Sequence, residues 1–366
     1  MGWRRCLALL PALLLAGAGP APPEADATPP DLDPNLDAVF AAADFAGEAW
    51  ISRGDRIVHA AAYGSRAPGG AAPHRLGATW RWASVSKQIT ATLAMQLVAD
   101  GLLSLDEPVS TYLPDFGAPY ADRITIADLL GHLSGLAHTD DGPRGEAGWP
   151  ELYLPGDQTA GDHLDYCAGP ADAPPSKAFR YGNCDYVVIG AVLEAVTGEP
   201  FARLVADEVA GPAGMMHAAL LESSAEDVEG YVGGDREPEF RIDMFGAAGA
   251  LGGPLLDLWK FDRALMTGAL LPDEARARMW QGRPDYGYAA LGQWAYEAAL
   301  SACESPVRLI ERRGAIGGVQ LRNIIVPERD VVVVMATNRS ETDFDFGEVW
   351  TGSGLTHDLL TRLLCA

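Results

Sequence analysis

The sequence predicts a mixed α/β fold of the α+β type: an antiparallel sheet flanked by helices and built from both ends of the chain, with a mainly helical sub-domain inserted. Three observations predict it. Gly47 to Tyr63 reads as two strands around the polar reversal Ser52-Arg53-Gly54-Asp55-Arg56. Near the other end, Val307 to Arg312, Val319 to Val326 and Val331 to Thr337 are β-rich runs, the last two joined by the turn Pro327-Glu328-Arg329-Asp330. Between these groups the chain is loop-rich with helical islands.

Taken in order, the chain opens with Arg4 and Arg5, an apolar run from Cys6 to Ala16, and small residues Ala16-Gly17-Ala18 suited to cleavage. That reads as a secretory signal over residues 1–18. Pro11 interrupts the run, which is shorter than the roughly 20 apolar residues a membrane span needs. Residues 19–35, rich in Pro, Ala and Asp, read as a disordered leader. Residues 36–80 and 281–366 then form the α/β sub-domain around a helical stretch at 81–280. Within that stretch, Ile89, Leu93, Met95, Leu97 and Val98 fit a helix over Ser84 to Asp100, stopped by Gly101. Further helices are expected over Ile126–His132, over Tyr186–Thr197 before Gly198, and over Leu256–Met266. A last amphipathic helix runs over Thr356–Leu364.

A formal net charge of −23 repels phosphate backbones, so nucleic acid is excluded as a natural partner. No H-E-x-x-H, no C-x-x-C and no P-loop is present, so neither metal nor nucleotide cofactor is expected. With Cys6 removed in the signal, Cys167, Cys184, Cys303 and Cys365 remain, an even number for an oxidising compartment. Four cysteines allow three connectivities. The short intervening loop favours Cys167 with Cys184, leaving Cys303 to tie a strand to Cys365; buried free thiols are the alternative.

Chemistry enters at Ser84-Val85-Ser86-Lys87. A serine hydroxyl needs a base within reach, and residues three apart on a helix share a face. The chain holds only three lysines, Lys87, Lys177 and Lys260, against 24 arginines (27 basic residues less three). An amine that can lose its proton therefore stands beside Ser84, where a guanidinium could not serve as base. The second motif is Tyr181-Gly182-Asn183, the single Y-x-N among 11 tyrosines. Its phenol needs cationic company to act as a base near neutrality, and Lys87 is placed to supply it. Asn183 offers an acceptor for the lysine and donors for a substrate carbonyl.

In this order the segments resemble the class C β-lactamase and D,D-peptidase-like family of serine hydrolases, which includes esterases. Ala83 to Gln88 resembles its S-x-x-K segment, and Phe179 to Asn183 with the following helix its Y-x-N segment. His132-Leu133-Ser134-Gly135-Leu136 resembles its H-x-S-G-L stretch. Gly249 to Phe261 resembles its glycine turn and helix, and Tyr286 to Trp294 its Y-G-x-G-W-like strand. The resemblance runs from about residue 36 to the end. It implies acylation at Ser84, proton transfer through Lys87 and Tyr181, positioning by Asn183, and an oxyanion hole from the N–H groups of Ser84 and Ala315. One departure stands out: where the family carries K-T-G or H-x-G, this chain has Arg312-Arg313-Gly314-Ala315. Arginine can bind an anionic group or support the tyrosine, but it does not donate a proton. Gly314 would let that strand approach a substrate.

The reading is therefore an exported, periplasmic or secreted hydrolase without cofactor, acting on a small-molecule or peptide substrate through an ester, amide or β-lactam carbonyl. Ester or D-amino-acid peptide substrates are favoured over β-lactams because of Arg312. The competing reading is a non-catalytic binding or regulatory protein on the same fold. His132 is expected to be scaffold, and Trp80 and Trp82 core.

Overall fold

The computed structural model describes residues 34–145, 148–156, 163–169, 178–221 and 227–365. The expected signal and nearly all of the expected leader lie outside them; Pro34 already opens a helix. The main sheet has six antiparallel strands: β1 (Gly47–Arg53), β2 (Arg56–Tyr63), β3 (Trp294–Ala298), β4 (Val307–Ile316), β5 (Val319–Val326) and β6 (Val331–Thr337). Their order is β2-β1-β6-β5-β4-β3, so the N-terminal hairpin docks on the last strand, with Trp50 opposite Val334. Helices packed on the two faces of the sheet or beside them include α1 (Pro34–Ala42), α2 (Ser86–Ala99), α3 (Ile126–Leu130), α4 (Asn183–Thr197), α5 (Leu255–Met266) and α6 (Leu355–Leu364).

The unbroken apolar run in β6 follows from helices covering both faces of the sheet. Val331, Val333 and Met335 join one buried cluster with Leu36 and Phe40 of α1 and Leu355, Leu359 and Leu360 of α6. The alternate residues Val332, Val334 and Ala336 join the other cluster, with α2, α4 and α5. The helix that follows the nucleophile segment therefore shares one core with the sheet, and its start is held against the sheet's end.

Several boundaries differ from the sequence reading. α3 stops at Leu130, because His132 adopts a left-handed backbone (φ +58°) that ends a helix. α4 begins at Asn183, directly after extended Gly182. β4 runs to Ile316, four residues past its expected end, paired with β5 as far as Ile316 opposite Val319. The strand expected over Tyr286–Trp294 starts only at Trp294; Pro284–Tyr286 forms a 3-10 turn before it. Disulfides join Cys167 to Cys184 and Cys303 to Cys365. Cys303 belongs to the loop between β3 and β4 rather than to a strand.

Candidate active site

Ser84 sits in the 3-10 turn Ala83–Val85 that leads into α2, not in the α-helix itself. Ala83 holds a strained left-handed φ of +48°, a feature that surrounding structure must enforce. The enforcement comes from both sides. Trp82 N–H donates to Leu251 O at 2.8 Å, and its indole Nε1 donates to Gly253 O at 3.0 Å. On the other side β4 presses directly on the turn: a Cβ at Gly314 would lie 2.3 Å from Trp82 O. The glycine is thus required for packing against the nucleophile turn, whatever it adds to substrate access. Trp80 and Trp82 are fully buried anchors, as the core reading had them.

Two groups, one near in sequence and one far, converge on the Ser84 hydroxyl. Tyr181 Oη donates to Ser84 Oγ at 2.7 Å, and Lys87 Nζ donates to it at 3.2 Å. Lys87 Nζ also donates to Asn183 Oδ1 and to Ala248 O, both at 2.8 Å. That tripod has a chemical consequence. The amide and carbonyl oxygens can only accept, so a lysine that has lost one proton keeps its two N–H bonds on them. Its lone pair then faces Ser84, the partner with a proton to give. Ala248 is delivered by the short helix Gly246–Gly249, packed so closely on α4 that a Cβ at Gly190 would lie 2.7 Å from Ala247 Cβ.

Arg312 completes the cluster from β4. Its Nη2 donates to Tyr181 Oη at 2.6 Å and its Nε to Ser84 O at 2.7 Å, while Trp294 at the start of β3 lies under the guanidinium at 5.0 Å. β3 begins opposite Glu311, so Arg312 to Ile316, including Gly314 and Ala315, extend beyond its first pair. Burial alone pushes the Tyr181 phenol up, but Arg312 and Lys87 outweigh it and bring the group down to about 8. Desolvation, with Arg312 adding to it, lowers the Lys87 ammonium to about 8 as well. Phenol and amine therefore exchange protons at similar cost, and their titration belongs to the pair.

Behind Tyr181 lies a layer the motifs only hinted at. His132 Nδ1 and Asp185 Oδ2 are 2.8 Å apart, Ser134 Oγ donates to Asp185 Oδ1, and the His132 ring packs on Tyr181 at 4.5 Å. Desolvation lowers His132 well below its usual range, so it is a neutral imidazole holding the phenol, in keeping with a scaffold role. Asp185 was not singled out from the sequence; an acid among the apolar residues of α4 was the available signal. Tyr153, whose Oη accepts from Asn183 Nδ2 at 3.1 Å, had no sequence signal at all. Among the described residues no group of three or more His, Cys, Asp or Glu side chains is placed to hold a metal ion. No described helix is long and apolar enough to cross a membrane.

A family model described as Beta-lactamase matches residues 36–356. Penicillin-binding protein 4 of Amycolatopsis lactamdurans is 32% identical over 209 residues, covering 53% of this chain and 52% of that protein. Esterase EstB of Burkholderia gladioli is 32% identical over 198 residues, covering 48% and 47%. The chain thus spans about half the length of these curated relatives. In fold it is similar to the D-amino acid amidase of Ochrobactrum anthropi SV3, with a TM-score of 0.72 at 19% identity, covering 91% of this chain and 98% of that one.

Proposed function

The chain belongs to the beta-lactamase family, and from that premise we propose that it is a serine hydrolase that forms an acyl-enzyme at Ser84 on an ester or amide carbonyl. The observation that carries the reading is the contact of one hydroxyl with both a buried amine and a buried phenol.

The residues act as follows. Ser84 Oγ attacks the carbonyl carbon and passes its proton to the Lys87–Tyr181 pair. The N–H groups of Ser84 and Ala315 receive the oxyanion, a contribution worth about 2.7–4 kcal/mol per donor in comparable sites. The pair returns the proton to the leaving oxygen or nitrogen as the carbonyl re-forms. Water then repeats the sequence on the acyl-enzyme, releasing the acid and restoring Ser84. Asn183 keeps the lysine aimed at the nucleophile.

Arg312 supports the tyrosine rather than the substrate in this reading, since its Nε and Nη2 are already bonded inside the protein. Neutral esters and amides are therefore favoured over substrates with a carboxylate beside the scissile bond, penicillins included. The two disulfides support export to an oxidising compartment.

A screen of p-nitrophenyl esters, D-aminoacyl amides and nitrocefin, with a fluorophosphonate label, tests the reading. Wild type should hydrolyse at least one neutral ester or amide and be labelled at Ser84, and Ser84→Ala should lose both by about a thousandfold or more. Folded wild type that is neither labelled nor active would favour a binding protein instead.

A further inference from the structure

The two N–H groups that receive the oxyanion belong to different segments, Ser84 to the turn before α2 and Ala315 to β4. They act together only if those segments keep a fixed register, since a misplacement of about 1 Å can cost a hundredfold in rate. Two ties between the segments are direct. Arg312 Nε donates to Ser84 O at 2.7 Å, and Gly314 lets β4 close on Trp82 O. Residue numbers thus rise along β4 as they fall along the nucleophile segment. Further along in the same sense, Gly318 and Arg81 are tied by a residue from elsewhere in the chain, Glu237.

Glu237 places one carboxylate oxygen on each segment. Its Oε1 accepts from Arg81 Nη2, and its Oε2 accepts from Gly318 N–H at 2.6 Å. Gly230 N–H also donates to Oε1, at 3.1 Å, and Glu237 N–H donates to Gly230 O at 3.0 Å. Both side chains of the ion pair are buried. The backbone clears space for the carboxylate: a Cβ at Gly317 would lie 2.1 Å from Oε2, and one at Gly230 2.4 Å from it. Phe240, on the same segment, packs its ring 5.7 Å from the Arg81 guanidinium and shares an apolar cluster with Ala83 and Ile316. An acid that only balanced the charge of Arg81 would need neither Gly318 nor the space at Gly317. The bridge ends equally far from the two donors, since Arg81 lies three residues before Ser84 and Gly318 three after Ala315. We propose that Glu237 is a positioning residue of the oxyanion hole: by bridging Arg81 to Gly318 it holds the Ser84 and Ala315 N–H groups at the separation the developing charge requires. The inference rests on the hydrolase reading. Glutamine cannot take over the role. An amide has one acceptor oxygen, and turning it to Arg81 and Gly230 sets the NH2 group against Gly318 N–H.

The test uses the neutral p-nitrophenyl ester that wild type hydrolyses best, with a trifluoromethyl ketone and a methyl ketone that carry the same acyl group. Ser84 Oγ adds to the carbonyl carbon of the fluorinated ketone, its proton passes to the Lys87–Tyr181 pair, and the carbonyl oxygen becomes an anion in the hole. The methyl ketone binds without that addition. Glu237→Gln should lower kcat/KM and the affinity for the fluorinated ketone by a common factor of about ten to a hundred, less than outright loss of a donor. Affinity for the methyl ketone should stay as in wild type, and kcat/KM should rise with pH over the same range, because Glu237 touches neither Lys87 nor Tyr181. A folded variant with wild-type kcat/KM overturns the proposal. So does one that loses turnover while the fluorinated ketone binds as before, or one that loses both ketones alike. If Glu237→Gln does not fold, Glu237→Asp takes its place: it keeps a carboxylate for Arg81 but is one methylene too short to span to Gly318, and the same outcomes decide. Failure of both to fold would make Glu237 a requirement of the fold and overturn the proposal as well. Turnover that survives Ser84→Ala would instead remove the hydrolase reading beneath it.

Discussion

Arg312 and Arg313 are neighbours on β4, yet they occupy opposite electrostatic worlds. Arg313 faces a balanced network: it pairs with Glu311 at 3.0 Å and with Glu348, while Arg322 also pairs with Glu311 and with Glu348. Arg312 pairs with no carboxylate among the described residues and donates instead to Tyr181 and to Ser84 O. A tyrosine on each side reports the difference. Tyr296 donates its hydroxyl to Glu311, and burial together with that carboxylate pushes its phenol far up. Tyr181 is pulled down to about 8 despite its burial. Two arginines matched by two glutamates make a structural clamp. An arginine left without an anion changes the proton affinity of what it touches.

The comparison is broken most severely at the tyrosines. Tyr181→Phe should lower kcat by about 10²–10⁴-fold, the usual worth of a positioned proton-transfer group. Tyr296→Phe should leave steady-state turnover of a neutral ester nearly unchanged. Comparable losses in both would mean that the lowered phenol does no chemistry.

The next effect in size is a pH shift. Arg312 lowers both Tyr181 and Lys87, so its removal raises both. If turnover needs the pair to have lost a proton, wild-type kcat/KM should climb through about pH 8, where both groups titrate. Arg312→Gln should move that rise upward by roughly one to two pH units, a tenfold to hundredfold loss on the acid side, with partial recovery in Arg312→Lys. Neutral and carboxylate-bearing substrates should lose equally. A loss confined to the carboxylates would reassign Arg312 to substrate binding.

How much of this could be read beforehand follows the range of the interactions. The β5 and β6 runs, and the Ser84–Lys87 spacing, depend on neighbours within a few residues, and the boundaries of those two strands emerged unchanged in the structure. The Y-x-N segment was visible as a motif, but its contact with Ser84 depends on a chain separation of 97 residues. Which of two adjacent arginines faces the nucleophile depends on the register of β4 against β5, a tertiary fact, as does the close approach of Gly314 to Trp82. Tyr153 depends on a stack with Phe245 and on an amide across the cleft, and no local pattern encodes either.

The smallest expected effect on turnover comes from the other face of β4, and it sharpens the comparison. Glu311 is buried and, against the cost of its burial, held charged by Arg322 and Arg313. Glu311→Gln leaves those guanidiniums with Glu348 as their remaining carboxylate in the network. Breaking a buried pair from one side costs about 3–5 kcal/mol, so the melting temperature should fall by several degrees or more. The pH–rate profile of the folded variant should nonetheless coincide with wild type, because Glu311 touches neither Lys87 nor Tyr181. A rise displaced by half a pH unit or more would mean that charge on one face of the strand reaches the other. Arg312 would then owe its effect to the whole sheet rather than to its own bonds with Tyr181 and Ser84.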